Sequence, residues 1–279
     1  DRTWYDQFGY TVAIHNEQII VSAPNETEDE NGMNTLPQAG SVYFFEKNGQ
    51  GIWIESQKLV AIDRSDNAEF GKALILRDSV LVVGATGESK DENGANVLGG
   101  AGAVYVFKQN GLSIWNQVQK IVPVDRVSQG YFGQSLALDT NNIDLFIGAR
   151  KTSASADVNG PGLIYNYKND MNNDFIYNVQ VRASIPGAFS SFSRSIAVEG
   201  DILISGGQNE NQAHIFEKDD TDTWIESQVL TPSSNGYFGT DVSIAKQLIY
   251  VGSPGNSFDE NEQSELSNAG AVFVYKKDE

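Results

Sequence analysis

Short apolar runs, broken by glycine, proline and polar residues, fill the chain and recur in a fixed order. Each round opens on a β-type run (TVAI, ALIL, SLAL, SIAV or DVSI), and tight polar turns such as HNEQ at 15–18 and TNN at 140–142 follow it. A second apolar run ends in small residues: SAP at 22–24, GAT at 84–86, GAR at 148–150, SGG at 205–207 and GSP at 252–254. The third run is AGSVYFF at 39–45, AGAVYVF at 101–107, PGLIYNY at 161–167, NQAHIF at 211–216 and AGAVFVY at 269–275. A fourth, WIESQKL at 53–59, WNQVQKI at 115–121, IYNVQVR at 176–182 and WIESQVL at 224–230, completes the round. Alternation in SVYFF and WIESQ predicts strands with one buried face, and no stretch sustains a helical period with caps. Turn residues bounding short runs of this kind are a strand signature.

A Phe-Gly pair heads the rounds at Phe8-Gly9, Phe70-Gly71, Phe132-Gly133 and Phe238-Gly239, and Phe192-Ser193 stands at the equivalent place in the fourth. The pairs divide the chain into units at about 8–69, 70–131, 132–191, 192–237 and 238–279. Four antiparallel strands repeated five times predict an all-β fold, a β-propeller of four-stranded antiparallel blades with five blades, residues 1–279 forming one domain. The small residues of the SAP/GAT strand are expected to lie innermost, where strands crowd the axis. Unit 4 is trimmed, with only Gln208-Asn209-Glu210 between its second and third strands. Unit 5 runs to Tyr275-Lys276-Lys277-Asp278-Glu279 without a Trp-x-x-x-Gln strand. The segment before Phe8 is too short to supply that strand and its connection, so the expectation is a three-stranded blade or a native protein that continues beyond this chain.

The sequence Phe-Gly … Gly-Ala-Pro … Gly-x-Val-Tyr resembles the FG-GAP repeats of integrin α-subunit propellers. It is closer still to bacterial and other extracellular relatives in which a Trp-x-x-x-Gln-x-Leu strand completes each unit. The resemblance covers essentially the whole chain. It implies a secreted or cell-surface propeller that acts in adhesion or ligand binding. Integrin-type repeats have seven blades and carry calcium in a loop between their first two strands. This chain has only short turns there, so that site does not carry over.

Composition narrows the partners. The chain carries 37 acidic against 19 basic residues, a formal net charge of −18, which argues against the phosphates of DNA or RNA. No apolar run approaches the roughly 20 residues of a membrane-spanning helix, so membrane insertion is not expected. Absence of cysteine excludes disulfides, thiolate zinc sites and cysteine nucleophiles.

The loops between second and third strands share the form [Ser/Thr]-x-Asp-x-Asn. They place Asp29 and Asn31 in unit 1, Asp91 and Asn93 in unit 2, Asp157 and Asn159 in unit 3, and Asp259 and Asn261 in unit 5. Oxygen side chains at alternate positions suit calcium. The same residues also build Asx turns by bonding their own backbone. Five aromatics off the repeat pattern, Trp4, Tyr5, Tyr131, Phe189 and Tyr237, precede the Phe-Gly steps in loops expected to share one face. They could grip a protein or glycan ligand, or seal hydrophobic edges. Trp53, Trp115 and Trp224 are expected between neighbouring blades, and the Phe of each Phe-Gly in the core. Asn25 heads the sequon Asn25-Glu26-Thr27, a glycosylation acceptor in a secreted eukaryotic protein. His15 and His214 are the only histidines, one in a turn and one in a strand, and neither suggests a catalytic base. The expected function is a non-enzymatic extracellular adhesion or recognition module, or a building block that meets neighbouring subunits of a surface assembly. A lectin is the alternative within binding; a carboxylate-based glycosidase or lyase is the alternative among enzymes.

Overall fold

A computed structural model describes residues 5–141, 143–150, 162–170, 174–184, 191–232, 236–258 and 266–277. Blade 1 consists of β1 (Val12–His15), β2 (Gln18–Ala23), β3 (Ser41–Lys47) and β4 (Trp53–Leu59). Blade 2 follows with β5 (Phe70–Arg77), β6 (Val80–Ala85), β7 (Ala103–Gln109) and β8 (Trp115–Ile121). Blade 3 holds β9 (Ser135–Leu138), β10 (Asp144–Ala149), β11 (Leu163–Asn169) and β12 (Phe175–Val181). Blade 4 holds β13 (Ile196–Glu199), β14 (Ile202–Gly207), β15 (Gln212–Lys218) and β16 (Trp224–Leu230). Blade 5 holds β17 (Val242–Ala245), β18 (Leu248–Ser253) and β19 (Ala271–Lys276). Strands pair antiparallel in chain order, giving four sheets of four strands and one of three among the described residues. These are the blades of an all-β propeller. The chain separates into two compact units, Asp1–Gln134 with β1–β8 and Ser135–Glu279 with β9–β19.

Blades 1 to 4 share a bulge in their outer strands, and the first hairpin of blade 1 is tight. A two-residue turn with left-handed Asn16 (φ 52°) joins β1 to β2. The pairing of third and fourth strands slips by one residue between Phe44 and Phe45, and again at Val106/Phe107, Asn166/Tyr167 and Ile215/Phe216. A bulge repeated at one position bends and twists each outer strand alike.

Within each unit the blades meet through one repeated joint. The Phe70 ring is buried in its own blade, edge-on to Tyr105 and Phe107 at centroid distances of 5.5 and 5.8 Å. Phe192 does the same against His214 and Phe216, and Phe238 against Phe273 and Tyr275. The backbone of the same Phe-Gly step docks on the preceding blade. Phe70 N–H donates to the Ala39 carbonyl at 3.1 Å, and Phe132 N–H to Ala101 at 3.1 Å. The approach is so close that a Cβ on Gly40, Gly102 or Gly162 would overlap the carbonyl oxygen of Phe70, Phe132 or Phe192. A Cβ on Gly84 would likewise overlap the Gly133 carbonyl, and one on Gly206 that of Gly239. The three parts of the repeat are thus one interface: Phe-Gly from one blade, and two small residues from the blade before.

Several expectations change. The SAP/GAT strand is second in each sheet and flanked on both sides, so it cannot be innermost; its small residues admit the next blade's backbone. In unit 4, Gly206 pairs with Ala213 as Ser22 pairs with Val42, which moves that unit's marker one residue from SGG to Gly206-Gly207. Ser193 replaces a glycine yet keeps the left-handed backbone (φ 71°). Its N–H donates to Ser205 Oγ at 2.8 Å, and its hydroxyl donates to the Ala149 carbonyl at 2.9 Å. Phe8 is 57% exposed, unlike the other Phe-Gly rings, and Trp53 is 37% exposed, whereas Trp115 and Trp224 are buried. Unit 5 shows three strands, as expected among the described residues.

Candidate functional site

In the first unit, the loops between second and third strands form a rim with the connections that enter each blade. Two guanidinium clamps hold it. Arg64 donates to the carbonyls of Asn34 at 2.8 Å and Thr27 at 2.7 Å. Arg126 repeats the contacts on Asn96 and Ser89 at 2.8 and 2.7 Å. These arginines escaped the sequence reading; the signal was Asp-Arg at 63–64 and again at 125–126, each at the same distance before Phe-Gly.

The acidic loops close on themselves. Asp29 Oδ1 accepts the N–H groups of Asn31 and Met33, each at 2.9 Å, and its other oxygen accepts the Asn34 amide. Asp91 Oδ1 accepts the N–H groups of Asn93 at 3.0 Å and Ala95 at 2.8 Å, with the Asn96 amide on Oδ2. Donation from the Met33 N–H, joined by Asn34, Asn31 and the Arg64 charge, outweighs burial and holds the Asp29 carboxyl below the usual 3.8. The Ala95 N–H, the Asn96 amide and the Asn93 N–H do the same for Asp91. Asn31 and Asn93 are exposed, each with its amide on the neighbouring glutamate. In both loops the carboxylate is taken up by the loop's own donors, the geometry of an Asx turn. Among the described residues no three His, Cys, Asp or Glu side chains converge as metal ligands. Asp157, Asn159, Asp259 and Asn261 lie outside the described residues.

Beneath these loops lies a polar centre repeated in two blades. Glu26 is buried; its Oε1 accepts the N–H groups of Thr27 and Glu28 at 2.9 Å, and Tyr43 donates its hydroxyl to Oε2 at 2.8 Å. The Lys58 ammonium lies 3.8 Å from that carboxylate. In blade 2, Glu88 holds Ser89, Lys90, Ser65 and Tyr105, and Lys120 lies 3.7 Å from Glu88 and 2.6 Å from Asp63. Burial first, then the Glu88 and Asp63 charges, push the Tyr105 phenol far above its ordinary value. Burial and Glu26 do the same at Tyr43. Sequence reasoning missed this centre, although Glu, Tyr and Lys stand at matching places in units 1 and 2; unit 5 has Asn256 and Phe273 in their stead. Two acids beside a lysine would interest an enzymologist. Yet the Glu, Tyr and Lys recur in successive blades and both glutamates are buried, Glu88 at 0% exposure, which marks internal bracing of the loop base; only Asp63, added in blade 2, is partly open to solvent.

The off-pattern aromatics fall at strained turns. Tyr131 and Tyr237, each immediately before its Phe-Gly, have left-handed backbones (φ 50° and 58°), as does Tyr5 (φ 76°). Tyr131 is half-buried, with its ring edge beside Gly100. Tyr237 is exposed over Gly255, and Tyr5 is 84% exposed. Tyr131 therefore has the contacts of an edge seal, whereas Tyr5 and Tyr237 present rings to solvent. Trp4 and Phe189 lie outside the described residues. Asn25, the sequon asparagine, is half-buried with its N–H on the Asp6 carbonyl at 3.2 Å. His15 closes a hairpin and meets Asp78 at 3.1 Å. His214 is buried against Glu226 at 2.7 Å. Glu226 also accepts the Ser184 N–H at 3.0 Å, and these bonds outweigh burial to hold its carboxyl low.

The FG-GAP repeat family model matches residues 1–45, 53–107 and 115–165, more than half of the chain. The chain belongs to the FG-GAP repeat family. Its fold is similar to the crystal structure of a "putative 6-phosphogluconolactonase" from Bacteroides fragilis NCTC 9343, with a TM-score of 0.55 and 10% identity. That match covers 92% of this chain and 68% of the other. At such identity the likeness is one of fold alone. No curated protein matches the chain in sequence.

Proposed function

We propose that this FG-GAP protein is a non-enzymatic recognition module that works outside the cell and binds its ligand through the loop-bearing rim. The observation that carries the reading is how its ionisable groups are used. The described buried acids of the rim, Glu26, Glu88, Asp29 and Asp91, are committed to donors of their own blade. What the rim of the first unit offers to solvent is binding chemistry, the exposed ring of Tyr5 and loop tips such as Asn31 and Asn93; the second unit, by itself, exposes Tyr237. Braced loops carrying exposed aromatics lose little conformational freedom on binding, which favours affinity. Glycans suit this surface, since a flat ring stacks on a sugar face while asparagine amides bond its hydroxyls. Family membership supports an extracellular setting, and no described helix is long and apolar enough to cross a membrane.

The test is retention of immobilised glycans by the intact protein and by Tyr237→Ala. The substitution is expected to weaken retention at least fivefold with an unchanged melting temperature. Equal retention by both proteins would remove Tyr237 from the site, and turnover of any glycoside would overturn the non-enzymatic reading.

A further inference from the structure

Without cysteine the chain has no disulfide to fasten a blade. Blade 2 nevertheless holds an amine and a carboxyl group in contact at its polar centre. Lys120, on β8, pairs with Tyr105 across the sheet and sets its ammonium 5.5 Å from that ring's centroid. Its side chain is 6% exposed, and Nζ donates to Asp63 Oδ2 at 2.6 Å. Asp63 lies 57 residues earlier, on the connection that leads from β4 into β5.

The two acids at this lysine are held differently. Glu88 Oε1 accepts the N–H groups of Ser89 and Lys90, and Oε2 accepts the hydroxyls of Ser65 and Tyr105. Asp63 Oδ2 faces the ammonium, while its Oδ1 is buried and accepts no hydrogen bond among the described residues. Glu88 Oε1 stands 3.7 Å from Lys120 Nζ, on hand as a third party to the pair. The Lys72–Glu69 pair of the same blade is about a quarter exposed on both sides, so water competes for both groups there. At Lys120 the amine is shut in with its acid.

We propose that Lys120 and Asp63 condense in the folded protein into a side-chain amide, which staples the entry connection of blade 2 to its fourth strand. A proton first passes from the ammonium to Asp63 Oδ2 along their hydrogen bond, leaving an amine and a carboxylic acid. The Nζ lone pair then attacks Asp63 Cγ, and the C–N bond forms. Glu88 Oε1 takes a second proton from nitrogen and hands it to the hydroxyl at Cγ. The C–O bond breaks, one water leaves, and the carbonyl is restored. Charge balances, since one ammonium and one carboxylate become one neutral amide and water. Contact between the two groups replaces a bimolecular encounter. Buried charges are costly even when paired, and the amide removes one of each sign. The bond closes a ring of main chain around β5 to β7 and most of β8, constraining the unfolded state as a disulfide would, but beyond the reach of reductants.

The test is mass spectrometry of the full chain, purified folded. The intact mass is expected to fall below that of the sequence by one water. Digestion is expected to yield a branched peptide that joins the segment of Asp63 to that of Lys120. Lys120→Arg keeps the positive charge but offers no amine to acylate, and Glu88→Gln keeps the shape but cannot relay the proton. Both variants should show their full sequence mass. Lys120→Arg should also melt several degrees below the parent, because its unfolded chain is no longer closed into a ring. The parent's mass decides the matter even where a variant fails to fold. A full parent mass after prolonged incubation overturns the proposal, as does a water loss that maps to any other residues or persists in Lys120→Arg. Persistence in Glu88→Gln overturns the relay.

Discussion

Gly102 shows how much one missing side chain can carry. Its backbone is left-handed (φ 87°), and a Cβ would overlap the carbonyl of Phe132. Gly102→Ala combines an unfavourable φ with a clash against the Phe132 backbone, so a loss of about 3 kcal/mol or more is expected in urea unfolding. Gly111 has open space and no such φ; Gly111→Ala should stay within about 0.5 kcal/mol. The sequence showed that small residues recur, but spacing does not say which atoms touch them, and the joint stayed hidden. Ser193 hides for a related reason: hydrogen bonds hold it in the conformation a glycine takes freely, and pattern alone reads it as a lost glycine. Titration follows from the same local chemistry. The Tyr105 phenol is pushed up in the fold, so its stabilisation is complete below the ordinary value near 10 and is lost as pH climbs above it. Urea midpoints measured from pH 8 to 11 should fall more steeply for the parent than for Tyr105→Phe. At the acid end, Asp29 and Asp91 are held low. Their contribution is present above the usual 3.8 and disappears as pH falls through the lower folded value.

Strands and turns were the most legible level, because a buried face writes its period directly into the chain. The runs of each unit reappear as strands in their expected order, and among the described residues the last unit's sheet has three. What the runs could not reveal was how neighbouring elements hold each other. The Trp-x-x-x-Gln strand reads as a packing motif, yet its glutamine reaches across to the next blade and captures a tryptophan backbone. Gln57→Ala removes both of those bonds and should cost about 1–2 kcal/mol. Trp115→Ala also empties the bed against Phe44 and should cost about 3–5 kcal/mol. Measured together, the double variant should lose less than the sum of the two, since Trp115 is the partner of Gln57.

For the whole molecule, the charge of −18 is now partly located. Some of it closes Asx turns, some braces loop bases through lysine and tyrosine, and the rest keeps the surface anionic. In units 1 and 2 the Asp29 and Asp91 carboxylates already accept their loops' own N–H groups, and we propose that chelator leaves the melting temperature unchanged. A rise of several degrees with millimolar calcium, lost in Asp29→Asn and Asp91→Asn, would assign the ion a structural role instead. Rim residues were harder to read than the fold because exposure leaves no periodic trace. Tyr131 and Tyr237 occupy the same step of the repeat, but one is half-buried at Gly100 while the other stays open above Gly255.

The joint also bears on how such chains evolve. Within each unit the boundaries ask much the same of their two sides, a Phe-Gly or Phe-Ser step from the incoming blade and small residues from the one before, with Asn211 standing in for the second glycine in blade 4. A duplicated unit that keeps these residues therefore arrives matched to a neighbour that keeps them too, whereas the Ser193 and Asn211 variants tie blade 4 to its own partners. Rim loops are tied to the next connection only through the carbonyls that Arg64 and Arg126 grip, so their side chains can diverge after a duplication while the boundaries stay under constraint. Lineages built on this joint can be expected to vary in blade count and ligand long before they vary in the Phe-Gly step.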